Sequence, residues 1–123
     1  MRSALFALIL MVCGVPAVKA ETLQPILQTY ATEIAKPSRK TVGETIDTIA
    51  ASGLPQVTAF LEQWSEKNIW QRTDGTFFVA TAAGDSLSLT DVDTQIKTTA
   101  PKSDFKQLKP NGGVRRLIAT ALV

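Results

Sequence analysis

Residues 57–90 read VTAFLEQWSEKNIWQRTDGTFFVATAAGDSLSLT, and the hydrophobic period changes inside them. Val57, Phe60, Leu61 and Trp64 recur at the spacing of one helix face. Past residue 68 the spacing falls to two. Residues 69–72 suit a short strand, Thr73-Asp74-Gly75 suits a turn, and residues 76–81 (TFFVAT) are rich in β-formers. Ala83-Gly84-Asp85 turns again, and residues 86–90 (SLSLT) alternate strictly, with Leu87 and Leu89 on one face. Phe77 and Phe78 are adjacent on a strand, so they must point to opposite faces. Residues 96–99 suit a fourth strand, which completes an antiparallel β-meander.

Upstream the pattern is helical. Residues 21–36 place Leu23, Ile26, Leu27, Tyr30 and Ile34 on one face, with Thr22 as N-cap, Pro25 in the first turn and Pro37 as terminator. Residues 41–52 give a second helix that opens on Thr41-Val42-Gly43-Glu44, the form of a capping box. Gly43 weakens its first turn, and Gly53 ends it. Residues 55–67 give a third helix, with Pro55 at its first position. Only Gly53 and Leu54 separate the second and third helices, so the two fold back as a hairpin. Residues 102–113 read as a polar connector. Beyond it Val114, Leu117, Ile118, Ala121 and Leu122 share a face that runs to the last residues. The expected fold class is α+β: a HEAT-like helical hairpin, a small antiparallel meander and an open C-terminal amphipathic helix. The divisions are 1–20, 21–68 (helical repeat), 69–101 (meander) and 102–123 (connector and the start of a further helix, expected to be cut short).

Residues 1–20 read as a Sec-type secretory signal peptide. Arg2 supplies the charge, residues 4–12 (ALFALILMV) the apolar run, and Val18-Lys19-Ala20 the small-residue cleavage site. The run is shorter than the roughly 20 apolar residues of a spanning helix. Cys13 opens the alternative of a lipoprotein signal, which wants a small residue where Val12 stands. The whole chain of 123 residues carries a formal charge of +2. Removal of Arg2 and Lys19 leaves 11 basic against 11 acidic side chains, a neutral domain. That balance offers no reason to expect a nucleic-acid partner.

Chemistry is sparse. The chain has no histidine and one cysteine, which excludes histidine-based triads and histidine-containing zinc sites built from this chain. Asp85, Asp91 and Asp93 are the nearest approach to a cation site, but they lack EF-hand order and read as strand ends and a solvated turn. Ser103 with Lys102 or Lys106 could form a Ser-Lys dyad only in a connector without an oxyanion-hole motif. No enzyme activity and no cofactor are expected. Trp70 at the helix-to-sheet junction and Arg115, Arg116, Leu117, Ile118 and Leu122 on the last helix form the candidate interaction surface. Cations sit poorly at a helix start, so Arg115 or Arg116 is expected to have a carboxylate partner, either within these residues or beyond Val123.

Read in order, four segments resemble a known family: I-x-x-I-A-A-S-G-L-P-x-V-x-x-F-L-E (residues 46–62), W-Q-R-T-D-G-T-F-F-V-A (70–80), S-L-T-D (88–91) and N-x-x-x-R-R-x-I-x-x-A-L (111–122). Together they are similar to the extracytoplasmic N-terminal region of urea ABC transporter permeases, of the branched-chain amino acid type. The family tends to carry a glycine soon after L-T-D, where this chain has Asp93-Thr94-Gln95. The resemblance implies a segment on the periplasmic side of the bacterial inner membrane, non-catalytic, with a docking or assembly role in urea transport. Its implied partners are the remainder of the permease, a second permease, ATPases and a solute-binding protein. Membrane contact would come only through a C-terminal part beyond these residues. The alternative is a stand-alone exported interaction module.

Overall fold

The computed structural model describes residues 22–38 and 40–123, and the leader reading of residues 1–20 lies outside them. Helices α1 (Gln24–Thr29) and α2 (Ala31–Ala35) stand where one helix was expected. They part at Tyr30, whose φ of −112° and ψ of 25° leave the helical region. The Thr29 hydroxyl donates to the Pro25 carbonyl at 3.1 Å, a back-bond of the kind that bends helices. The bend keeps Leu23, Leu27 and Ile34 in the core, each fully buried.

Two expected caps are replaced by tertiary ones. Thr22 does not cap α1. The N–H groups of Leu23 and Gln24 donate instead to the two carboxylate oxygens of Asp93, at 2.6 and 3.0 Å. Asp93 lies beyond the third strand, so the sheet supplies the cap. The capping box at Thr41 is also not formed: Thr41 makes no side-chain cap to helix α3 (Val42–Ala51), and its hydroxyl donates to Glu33 on α2. The first N–H of α3 is met by the Ser38 carbonyl at 2.8 Å. Helix α4 (Gln56–Ser65) follows through Gly53, whose φ of 73° suits glycine. Pro55 stands at its N-cap rather than inside its first turn.

The sheet has five antiparallel strands: β1 (Ile69–Arg72), β2 (Phe77–Ala83), β3 (Ser86–Asp91), β4 (Lys97–Pro101) and β5 (Phe105–Gln107), in the order β4-β3-β2-β1-β5. The connector expected over 102–113 therefore contains a single 3₁₀ turn (Lys102–Asp104) and a strand. Phe105-Lys106-Gln107 is too short to show a period, and it becomes a strand by pairing with β1. β4 and β5 are opposite edges, yet three residues join them. A flat five-stranded sheet would hold its edges about 19 Å apart. The Cα trace from Pro101 to Phe105 spans at most about 15 Å. The sheet is therefore rolled toward a barrel.

The roll gives two apolar clusters. The helices pack on one face, where Ile69, Phe77, Val92 and Leu108 join Phe60, Trp64 and the rest of the main core. The inside of the roll holds Trp70, Phe78, Ala80, Leu87 and Leu89, closed by Ala100 of β4 and Phe105 of β5. Phe78 and Phe105 meet edge to face at 5.9 Å. The two adjacent phenylalanines thus face opposite ways, and both faces are covered.

Helix α5 (Gly112–Ala121) begins at Asn111, whose Oδ1 accepts the Val114 N–H at 3.0 Å. It lies against both α3 and α4. The expectation of an open helix is corrected on its inner stripe: Val114 and Ile118 are buried in the main core, and Leu122 is half-buried. A Cβ at Gly43 would meet Leu117 Cδ1 at 3.9 Å, an ordinary van der Waals contact, so the space beside Leu117 would admit a methyl group.

Asp93→Ala removes the cap of α1 and is expected to lower stability by about 1–2 kcal/mol in urea unfolding. Asp85→Ala, at an exposed turn, should stay within about 0.5 kcal/mol. Gln95 adopts φ 65°, a region that favours glycine, so Gln95→Gly should not destabilise and should gain up to about 1 kcal/mol.

Candidate interaction site

The first turn of α5 and the start of α3 enclose a shallow groove of about 260 Å³, lined by Val42, Gly113, Val114, Arg116 and Leu117. The helical register builds it. Val114 and Ile118 point inward, so Leu117 falls at the rim with Arg116 beside it, and Arg115 falls on the other flank of the buried stripe. Leu117 is 38% exposed because Gly43 has no side chain to cover it. The floor is apolar, and the one charge in the lining is the Arg116 guanidinium. Such a notch can seat an apolar side chain beside an acidic group. It carries no nucleophile and no acid–base pair.

The structure divides the surface expected from the sequence. Arg116 and Leu117 stand together in the groove lining, whereas Arg115 is exposed outside it and Leu122 is half-buried. Ile118 is fully buried and serves the core. Trp70 is 7% exposed and sits inside the rolled sheet, in a different cluster from α5. It is no exposed platform, because its strand position points it into the roll. Val42, Gly43 and Gly113 were missed; glycine in the first turn of α3 was the one available signal. The expected carboxylate partner for Arg115 or Arg116 is not found: among the described residues the ion pair is Arg72–Asp74, at 3.2 Å.

The aspartates hold backbone. Asp91 Oδ1 accepts the N–H groups of Asp93 and Thr94 at 2.8 and 2.9 Å, and Asp93 caps α1 while accepting from Gln56 Nε2 at 2.8 Å. Among the described residues no group of three or more potential ligands could hold a metal ion. Ser103 is exposed on the 3₁₀ turn, beside Arg72 and Lys106 in an open groove. No described helix is long and apolar enough to cross a membrane.

The β1–β2 turn holds an acid whose pKa is lowered. The Thr76 backbone N–H, donating to Asp74 Oδ1 at 3.0 Å, is the main cause; the Thr76 hydroxyl and Arg72 add to it, and together they lower the Asp74 pKa from 3.8 to about 2. Arg72 also lies 5.0 Å over the Phe78 ring. No known family model matches the chain, and no curated protein and no solved structure does either.

Ile118→Ala should cost about 2–5 kcal/mol, whereas Leu117→Ala should cost under about 1 kcal/mol; thermal melts of the two variants decide this. A folded-state pKa below the unfolded one stabilises above the unfolded value. The Asp74 contribution is thus complete above pH 3.8 and is lost as pH falls through about 2. A carboxyl-carbon NMR titration should place the Asp74 midpoint well below those of exposed aspartates. Arg72→Ala should raise it only part of the way, since Thr76 remains.

Proposed function

We propose that the chain is the N-terminal extracytoplasmic segment of a urea ABC transporter permease of the branched-chain amino acid type, with a docking or assembly role and no catalysis of its own. The observation that carries this reading is the ordered run of four motifs over residues 46–62, 70–80, 88–91 and 111–122. The leader-like residues 1–20 support export to the periplasmic side of the inner membrane. The rim formed by Leu117 with Arg116 supplies a mixed apolar and cationic contact of the kind a docking segment needs. On this reading the α3–α4 hairpin is a HEAT-like unit, and the partners are the rest of the permease, the second permease, the ATPases and the solute-binding protein.

A second reading, a stand-alone exported interaction module, draws on one observation. The inner stripe of α5 is already covered, with Val114 at 1% and Ile118 at 0% exposure. A helix so covered does not need a further layer in order to be stable.

Expression of the full chain in a Gram-negative host tests export. A periplasmic product lacking residues 1–20 is expected, and an unprocessed cytosolic product overturns both readings. Co-expression with the membrane subunits of a urea transporter separates the two. Retention of the chain by those subunits, weakened about tenfold by Arg116→Glu with Leu117→Glu, supports the transporter reading. Absence of retention leaves the stand-alone module.

A further inference from the structure

We propose that the free edge of β4, together with the groove beneath α4, binds an extended peptide segment bearing an acidic side chain, by strand addition. The proposal does not depend on the transporter reading.

The backbone of β4 can be assigned bond by bond. At one end the Asp91 N–H donates to the Ile96 carbonyl at 3.0 Å; at the other the Lys102 N–H donates to the Asp85 carbonyl at 2.8 Å. The register between them is unbroken, from Thr90↔Lys97 to Ser86↔Pro101. Bonded and non-bonded pairs alternate along an antiparallel ladder. Thr98 and Ala100 therefore bond to β3, while Lys97 and Thr99 aim their N–H and C=O groups outward. Pro101 has no N–H and ends the donor row. Among the described residues β4 is the last strand of the sheet on this side, and Lys97, Thr98 and Thr99 are all exposed. The edge offers two donors and matching acceptors to an incoming strand.

A groove of about 240 Å³ opens beside this edge, between α4 and the helix face of the sheet. Phe60, Val79 and Val92 give it apolar walls, and Gln63, Thr90 and Lys97 line its polar side. Lys97 pairs with Thr90, so its side chain lies on the groove face, where its Nζ donates to Thr90 Oγ1 at 3.4 Å. Among the described residues no carboxylate lies within 4.0 Å of that amine.

These facts select the occupant. In an added antiparallel strand, the residue opposite Lys97 lies on the groove side. Opposite charges directly across a ladder attract, and like charges repel. That position takes glutamate or aspartate. The position opposite Thr99 also faces the groove side and takes a small β-branched residue. A lysine and a proline on the edge guard it against indiscriminate pairing, which limits the site to short acidic segments.

The test titrates the isotopically labelled full chain with the peptide Thr-Val-Thr-Glu-Thr-Thr, in which the valine and the glutamate stand two apart as Thr99 and Lys97 do, and follows amide exchange. The proposal expects protection to rise about tenfold or more at Lys97 and Thr99, with little change at Thr98 and Ala100, which are already bonded. Lys97→Glu should weaken binding about tenfold. Thr99→Pro removes one outward N–H that the fold does not use, so it should abolish binding while the thermal melt stays cooperative. Should Thr99→Pro unfold, Lys97→Glu still decides. Unchanged exchange at Lys97 and Thr99, equal binding of a proline-substituted peptide, or shifts confined to Arg115–Leu117 would each overturn the proposal.

Discussion

The carboxylate of Asp93 joins the two halves of this molecule. It accepts the first two N–H groups of α1 and the side-chain amide of Gln56 at the start of α4. A short helix such as α1 is not stable alone, because its nucleation cost exceeds what six residues return. It persists here because its N-terminal donors are met by a charged acceptor fixed at the end of a strand. Gln24 adds a second tie. Its side-chain amide donates to the Phe77 carbonyl and accepts the Phe77 N–H, both at 3.0 Å, as a neighbouring strand residue would. Gln28 extends the contact to the Gly75 carbonyl at 2.8 Å. The helix thus completes the edge of β2 where β3 has not yet begun to pair.

Two clusters then share the work of a domain without a described disulfide or metal. The main core lies between the helices and one sheet face; the second lies inside the roll. The second exists only because β5 returns to β1 after a three-residue turn, which draws Phe105 against Phe78. Trp64, fully buried, finds no hydrogen-bond partner for its indole N–H among the described residues, where its place in the core rests on packing.

The exposed chemistry follows from where covering stops. α5 turns its buried stripe toward α3 and α4, and the glycine at position 43 leaves Leu117 partly in water beside Arg116. On the far side, among the described residues, the sheet ends at β4 with its outer backbone row unpaired. Both are contact surfaces in physical character. Neither gathers the convergent nucleophile, base and oxyanion donors that a reaction needs.

Residues 57–90 were enough to place α4, β1, β2 and β3 within one or two positions, because strict periods of 3.6 and 2 leave few alternatives. The turns at Gly53, Gly75 and Gly84 were legible for the same local reason, and all three take positive φ. The caps at Thr22 and Thr41 were misread, since a better acceptor for α1 lay about seventy residues along the chain and Glu33 drew the Thr41 hydroxyl away. Strand β5 left no periodic trace, being made by its partner. The candidate surface was half legible: helical spacing kept Arg115, Arg116 and Leu117 off the inner stripe, but could not say that Ile118 would be sealed or Trp70 turned inward. The sequence by itself determined which segments are helix or strand and which face of each is apolar, because those depend on neighbours within a few residues. The tertiary structure alone decided how the sheet rolls, where α1 is capped and which apolar stripe is covered, because each rests on groups brought together from distant parts of the chain.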